Sequence, residues 1–122
     1  MAEDDLDAQD AKLVTLARGA RSRIGSRGGA AVRDDMGRTY SAADIALPSL
    51  TLSALQLAIA QAAMSGAVGL EAAVVVQEAQ SPVVGLEAMC DLGGNGVPVF
   101  LCEPDGRVRH VTTAGDLHDD IN

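Results

Sequence analysis

Glu71 and Gln77 enclose the run Ala72-Ala73-Val74-Val75-Val76, five apolar residues with no polar interruption. A strand with one solvated face alternates apolar and polar residues, whereas a strand covered on both faces has no need to. The run therefore predicts a central strand with structure packed above and below it, and sets the rest of the chain around a layered α/β sheet.

The flanking segments supply the layers. Asp10 reads as the N-cap of a helix running to about Ile24, with Leu13, Leu16, Ala17, Ala20 and Ile24 at helical spacing. Gly25, Gly28 and Gly29 end it. Gly29 to Arg33 reads as a strand, Asp34-Asp35-Met36-Gly37 as a turn and Arg38 to Ile45 as the returning strand of a hairpin. Pro48 and Ser49 are expected to open a helix to about Ser65, stopped by Gly66, with Ala54, Ala58 and Ala62 on one face. After the central strand, Ser81-Pro82 is expected to start a helix to about Leu92, followed by the turn Gly93-Gly94-Asn95-Gly96. Val97 to Cys102 and Arg107 to Val111 read as strands joined at Pro104-Asp105-Gly106, and Thr113 as the cap of a last helix to about Asp120. The order is α-β-β-α-β-α-β-β-α, in an acidic N-terminal arm (residues 1–9) and a single domain (residues 10–122).

Charge narrows the function classes. Nine Lys and Arg against 17 Asp and Glu give a net charge of -8, which repels phosphate backbones and excludes a general nucleic-acid binder. Tyr40 and Phe100 are the only large aromatics, too few for a base-stacking platform. From Thr39 to Cys102 there is no Lys or Arg, so this stretch is expected to lie in a core or between subunits. The uncharged helix expected over Thr51 to Ser65 has more apolar faces than one sheet covers, which points to a homo-oligomer, dimer or tetramer, packed through it. It is shorter than the roughly 20 residues of a membrane span. The N-terminus has no apolar h-region, so the expectation is a soluble, cytoplasmic protein without membrane contact.

Several chemistry-bearing residues have structural readings. Cys90, Cys102, His110 and His118 match no zinc template and read as inert thiols and surface imidazoles. Residues 25–29 and 93–96 are Gly-rich, but each follows a helix and precedes a strand, the reverse of a phosphate-binding loop. Arg18, Arg21, Arg23 and Arg27 read as a solvated helix end where cations suit the macrodipole, with pairing to the acidic arm, and behind that a nucleotide phosphate, as the alternatives. Ser53 has no base beside it in sequence and reads as a polar N-cap or core residue.

Four passages together resemble the cytidine deaminase family. Gly28-Gly29-Ala30-Ala31-Val32 followed by Gly37-Arg38-Thr39-Tyr40 resembles that family's V-G-A-A-L…G-x-x-Y hairpin. Ser49 to Ile59 is similar to G-L-T-x-C-A-E-R-x-A-I, and Ser81-Pro82 stands where the family has S-P-C-G-A-C-R-Q. Val97 to Leu101, Gly106 and Thr113 resemble its C-terminal stretch. The resemblance covers about Ala11 to Ile121. It implies a cytidine deaminase-like three-layer α/β/α sandwich with a five-stranded mixed sheet.

In that family, zinc held by a Cys or His and two Cys activates water, and a Glu moves the proton. Carried over by position, the resemblance assigns the ligands to Ser53, Val83 and Leu86 and the Glu to Leu55. The Arg-Gln after the last ligand becomes Glu87-Ala88. The Asn-x-Glu that holds the sugar falls at Asp44 and Ala46, leaving Asp44 and Tyr40 as candidate ligand-binding residues. Valine and leucine offer zinc no donor. The expectation is that Leu55, Val83 and Leu86 form a dry cluster at two helix N-termini. It follows that the chain is a catalytically inactive homologue, without zinc, acting as an oligomeric binding or regulatory protein for a nucleoside or protein partner. The alternatives are a divergent cytidine or nucleoside deaminase with an unrecognised metal site, in which zinc would be the cofactor, and a structural subunit that pairs with an intact deaminase.

Overall fold

A computed structural model describes residues 6–121 of the chain, with side chains described through residue 117. The side chain of His118 and the first five residues of the expected acidic arm lie outside the described residues.

Helix α1 (Ala8–Arg23) precedes the hairpin β1 (Gly29–Asp34) and β2 (Thr39–Ala43). A small hairpin follows, β3 (Ile45–Leu47) and β4 (Leu50–Leu52), then α2 (Ala54–Met64), the central strand β5 (Leu70–Val76), α3 (Leu86–Gly93), the hairpin β6 (Pro98–Cys102) and β7 (Val108–Thr113), and α4 (Ala114–Ile121). Five strands form one sheet in the order β2-β1-β5-β6-β7. β5 and β6 run parallel, with Ala73 opposite Val99 and Val75 opposite Leu101, and the other pairs are antiparallel. The fold is α/β, a five-stranded mixed sheet flanked by helices, as the sequence predicts.

The apolar run of β5 divides by parity. Ala72, Val74 and Val76 join Leu13, Val14 and Ala17 of α1, with Phe100 and Cys102 of β6. Ala73 and Val75 face the other way, onto Leu55, Ala58, Ile59 and Ala62 of α2 and Leu86 and Met89 of α3. A period of two with both faces buried is why the segment needs no polar alternation.

Three expected boundaries move, each for a local reason. The cap of α1 is Asp7, whose Oδ1 accepts the Asp10 N–H at 2.8 Å. Asp10 instead pairs with Arg33 of β1 at 3.1 Å, and Arg33 also pairs with Glu71 at 2.9 Å. Residues 48–52, expected to open a helix, instead complete the β3–β4 hairpin that begins at Ile45, the end of the expected strand, because Ser53 and Gln56 make the stronger helix start. Ser53 Oγ accepts the Gln56 N–H at 3.0 Å, and Gln56 Oε1 accepts the Ser53 N–H at 3.0 Å, a reciprocal capping box. Finally, Ser81-Pro82 does not open α3. Gln77 Nε2 donates to the carbonyls of Ser81 and Pro82, both at 3.1 Å, and Ser53 Oγ donates to that of Val84 at 2.6 Å. Side chains from other elements thus hold this segment out of the helix, which begins only after Gly85 at φ +120°.

Candidate functional site

An open cleft of about 800 Å³ lies where the ends of β2 and β5 meet the start of α2. Residues 25–27, 44–46 and 51–53, with Gln56, Gln77, Ser81, Pro82 and Val84, line it. The volume is that of a small-molecule site.

The cleft is braced by hydrogen bonds from its own wall residues. Asp44 Oδ1 accepts the Ala54 N–H at 2.6 Å, tying the end of β2 to the first turn of α2. Ser26 Oγ donates to the Asp44 carbonyl at 3.1 Å, and the Asp44 N–H donates to the Gly28 carbonyl at 3.0 Å. A Cβ at Gly28 would stand 2.8 Å from Asp44 Oδ2, so a larger residue there would have to displace the Asp44 carboxylate. Opposite, Gln77 is 7% exposed at the end of β5, its amide nitrogen committed to the Ser81 and Pro82 carbonyls.

Ser53 lines the cleft and caps α2. Its hydroxyl accepts from Gln56 and donates to Val84, and no base bonds it for nucleophilic work. Leu55 (2% exposed) and Leu86 (4%) belong to one core cluster, with the half-buried Val83 packed against it. Leu55 is the second residue of α2 and Leu86 the first of α3, so both stand at helix N-termini on the same core. Val83 sits in the preceding loop and not on the helix. As a donor set for zinc these residues do not fit: two aliphatic chains offer no lone pair, and the serine oxygen is engaged by two backbone groups.

Tyr40 lies apart from the cleft. Its hydroxyl donates to Asp34 Oδ2 at 2.9 Å in a buried polar knot that locks the β1–β2 turn. Asp34 also accepts from the Met36 and Arg38 N–H groups, both at 2.9 Å, and from Arg38 Nε at 2.8 Å. Burial alone would raise the Asp34 pKa, but the bonds from Tyr40, the two backbone N–H groups and the Arg38 guanidinium outweigh it and hold the carboxyl below its ordinary range. Burial, then the bond to Asp34, pushes the Tyr40 phenol up. Of the two candidate ligand-binding residues, only Asp44 reaches the cleft.

The thiols stay separate. Cys90 packs against the α2-side core and Cys102 lies within the α1-side core, with the exposed His110 on β7. Among the described residues no three His, Cys, Asp or Glu gather as a metal cage. The glycines at 25 and 94 take positive φ in turns, as the sequence predicts.

Sequence reasoning missed three wall residues. Gln77 was signalled by a polar side chain ending a wholly apolar strand, and Gln56 by its place three residues after Ser53. Arg27 had no signal of its own within the basic segment.

A sequence model of the family described as "Cytidine deaminase-like" matches residues 6–106. A cytidine deaminase from Burkholderia pseudomallei superposes with a TM-score of 0.76 at 28% identity, over 87% of this chain and 93% of its own. One from Mycobacterium leprae gives 0.69 at 22% identity, over 91% and 98%. One from Bacillus anthracis gives 0.67 at 15% identity, over 93% and 88%. No curated protein matches the chain by sequence.

Proposed function

The chain belongs to the cytidine deaminase-like family, and from that premise we propose that it is a catalytically inactive, zinc-free member that binds a small nucleoside-like ligand in the cleft as a homo-oligomeric, cytoplasmic binding or regulatory protein. One observation carries the reading. Where the resemblance assigns a proton-carrying Glu, Leu55 is sealed in the core at 2% exposure beside Leu86. A leucine moves no proton, and neither leucine holds an ion. General acid–base catalysis contributes roughly 10²- to 10⁴-fold by itself, and metal activation of water several kcal/mol more, so the loss of both removes the reaction.

What remains is the wall of the cleft, with Asp44, Gln56 and Gln77 held in place by hydrogen bonds. Such a wall binds without transforming. The homo-oligomer is supported by α2, which carries no charged residue and exposes Ala60, Ala63 and Met64 on the side away from the sheet.

The test is elemental analysis of untagged, dialysed protein together with a cytidine deamination assay. The expected result is zinc far below one ion per chain, no turnover, and an unfolding temperature unchanged by a chelator. About one zinc per chain with turnover would overturn the proposal in favour of a divergent deaminase with an unrecognised metal site.

A further inference from the structure

We infer that the cleft takes an anionic ligand, a nucleoside monophosphate in class, whose phosphate is held at the rim by Arg27. The inference rests on the small-ligand cleft proposed above and specifies its chemistry.

The cations of this chain are unevenly used. Among the described residues Arg33, Arg38 and Arg109 form ion pairs with Asp10 and Glu71, Asp34, and Glu103. Arg27 has no such carboxylate partner there, is exposed, and is the only Lys or Arg that lines the cleft. Lys12 and the arginines at 18, 21, 23 and 107 also lack an ion pair among the described residues, so what sets Arg27 apart is its place on the cleft rim. Among the described residues the one carboxylate of the lining, Asp44, already has an oxygen bound to the Ala54 N–H.

The loop that carries Arg27 is fixed at both ends. Arg21 Nε donates to the Arg27 carbonyl at 3.1 Å, and the Ser26 N–H donates to the Arg21 carbonyl at 3.0 Å. Ser26 Oγ reaches the Asp44 carbonyl at 3.1 Å, and Asp44 returns a bond to Gly28. The braced loop fixes the backbone from which the Arg27 side chain extends, so little backbone order is lost on binding, and the planar guanidinium fork suits a phosphate held by two parallel bonds. The interior complements a neutral polar body: Gln77 buries its amide in the wall, and Gln56 has only its oxygen engaged. The lining sets one cation, Arg27, among neutral side chains and the Asp44 carboxylate, whose Oδ1 is bound by the Ala54 N–H, and the ligand it fits donates hydrogen bonds at one end and is anionic at the other.

The experiment is calorimetric titration of the whole protein with cytidine, cytidine 5′-monophosphate and inorganic phosphate, repeated for Arg27→Gln and for Arg107→Gln, an exposed arginine outside the cleft. A charge-assisted bidentate contact predicts that the monophosphate binds roughly 10- to 100-fold more tightly than cytidine. Arg27→Gln should abolish that preference while leaving cytidine binding unchanged, and Arg107→Gln should change neither. Equal affinity for cytidine and its monophosphate in the wild type overturns the inference and leaves the cleft reading standing. Equal loss of preference in both variants also overturns it, since the field of the whole surface would then be responsible. No binding of any probe overturns both the inference and the small-ligand cleft. Zinc and turnover overturn only the inactive reading.

Discussion

Leu55 offers the sharpest perturbation. It is 2% exposed, clustered with Ala58, Ile59, Leu86 and Met89, and the Gly85 backbone closes over it, since a Cβ there would stand 3.3 Å from the Leu55 Cβ. A site walled by a helix and a braced loop collapses poorly when emptied, so Leu55→Ala should fall in the middle of the usual range, about 3 kcal/mol. For a chain of this size that lowers the unfolding temperature by roughly 10–15 °C. Urea unfolding followed by circular dichroism reads it directly. Leu55→Glu asks the stronger question, with Leu55→Gln as the isosteric control. A carboxylate there has no cation and no water, so burial raises its folded-state pKa above the unfolded value of about 4.3. Its stability then matches that of the Gln variant below about pH 4. Above that it falls behind by up to about 1.4 kcal/mol per pH unit until the folded pKa is passed. If the Glu and Gln variants unfold together from pH 4 to 8, the carboxylate is solvated. The pocket around residue 55 would then be open rather than sealed, and the argument for a filled site would fail.

Three further outcomes are expected. Asp34 is held below its ordinary pKa of 3.8, so its stabilising contribution is complete above that value and is lost as pH falls through the lower folded value. The urea midpoint of the wild type should exceed that of Asp34→Asn by a constant margin from pH 7 to 5 and lose it below about pH 4, and a margin unchanged at pH 2 would refute the assignment. Ser53→Ala removes the cap of α2 and leaves the Val84 carbonyl without its donor, which should cost about 1–2 kcal/mol in the same assay; no measurable loss would show the hydroxyl to be dispensable. Met64 is 84% exposed on the outer face of α2. Light scattering should find the wild type at a multiple of 12.5 kDa and Met64→Glu at the single-chain mass, while a monomeric wild type would end the oligomer proposal.

The sheet was legible because its signals are local. Five uninterrupted apolar residues name β5, and Asp34-Asp35-Met36-Gly37 and Pro104-Asp105-Gly106 name two hairpins. The segments misread are those settled by side chains from outside them. Asp7 and Asp10 are both plausible caps in sequence, and only Arg33, on a strand across the layer, takes Asp10 out of the competition. Ser81-Pro82 is a good helix start by composition, yet Gln77 and Ser53 hold the carbonyls of residues 81, 82 and 84. The Ser53 bond is long-range and the Gln77 bonds reach four and five residues along the chain; all three bonds join residues that line the cleft, so misreading residues 81–85 and missing Gln77 as a wall residue were one error. Tyr40 was misplaced for the converse reason: it belongs to a motif of the resemblance, but its hydroxyl is taken up by Asp34.

The reacting end and the wall of the cleft then carry different histories under the reading proposed here. At the positions that the resemblance assigns to the reaction, packing stands in place of polar chemistry: Leu55 and Leu86 sit in the core, and Ser53 serves the backbone. Each exchange favours stability, because a filled apolar position replaces groups that would otherwise need desolvation. The wall has gone the other way. A buried Gln77, a Gly28 pressed against the Asp44 carboxylate, an aspartate bound to a helix N-terminus and an Arg27 with no ion pair among the described residues are poor choices if the only goal is a compact core. A chain losing function altogether would be expected to close such a cleft as it filled the reacting end. The proposed reading, a protein that no longer turns a ligand over and still holds one, requires only that the reacting end be filled while the 800 Å³ opening is kept.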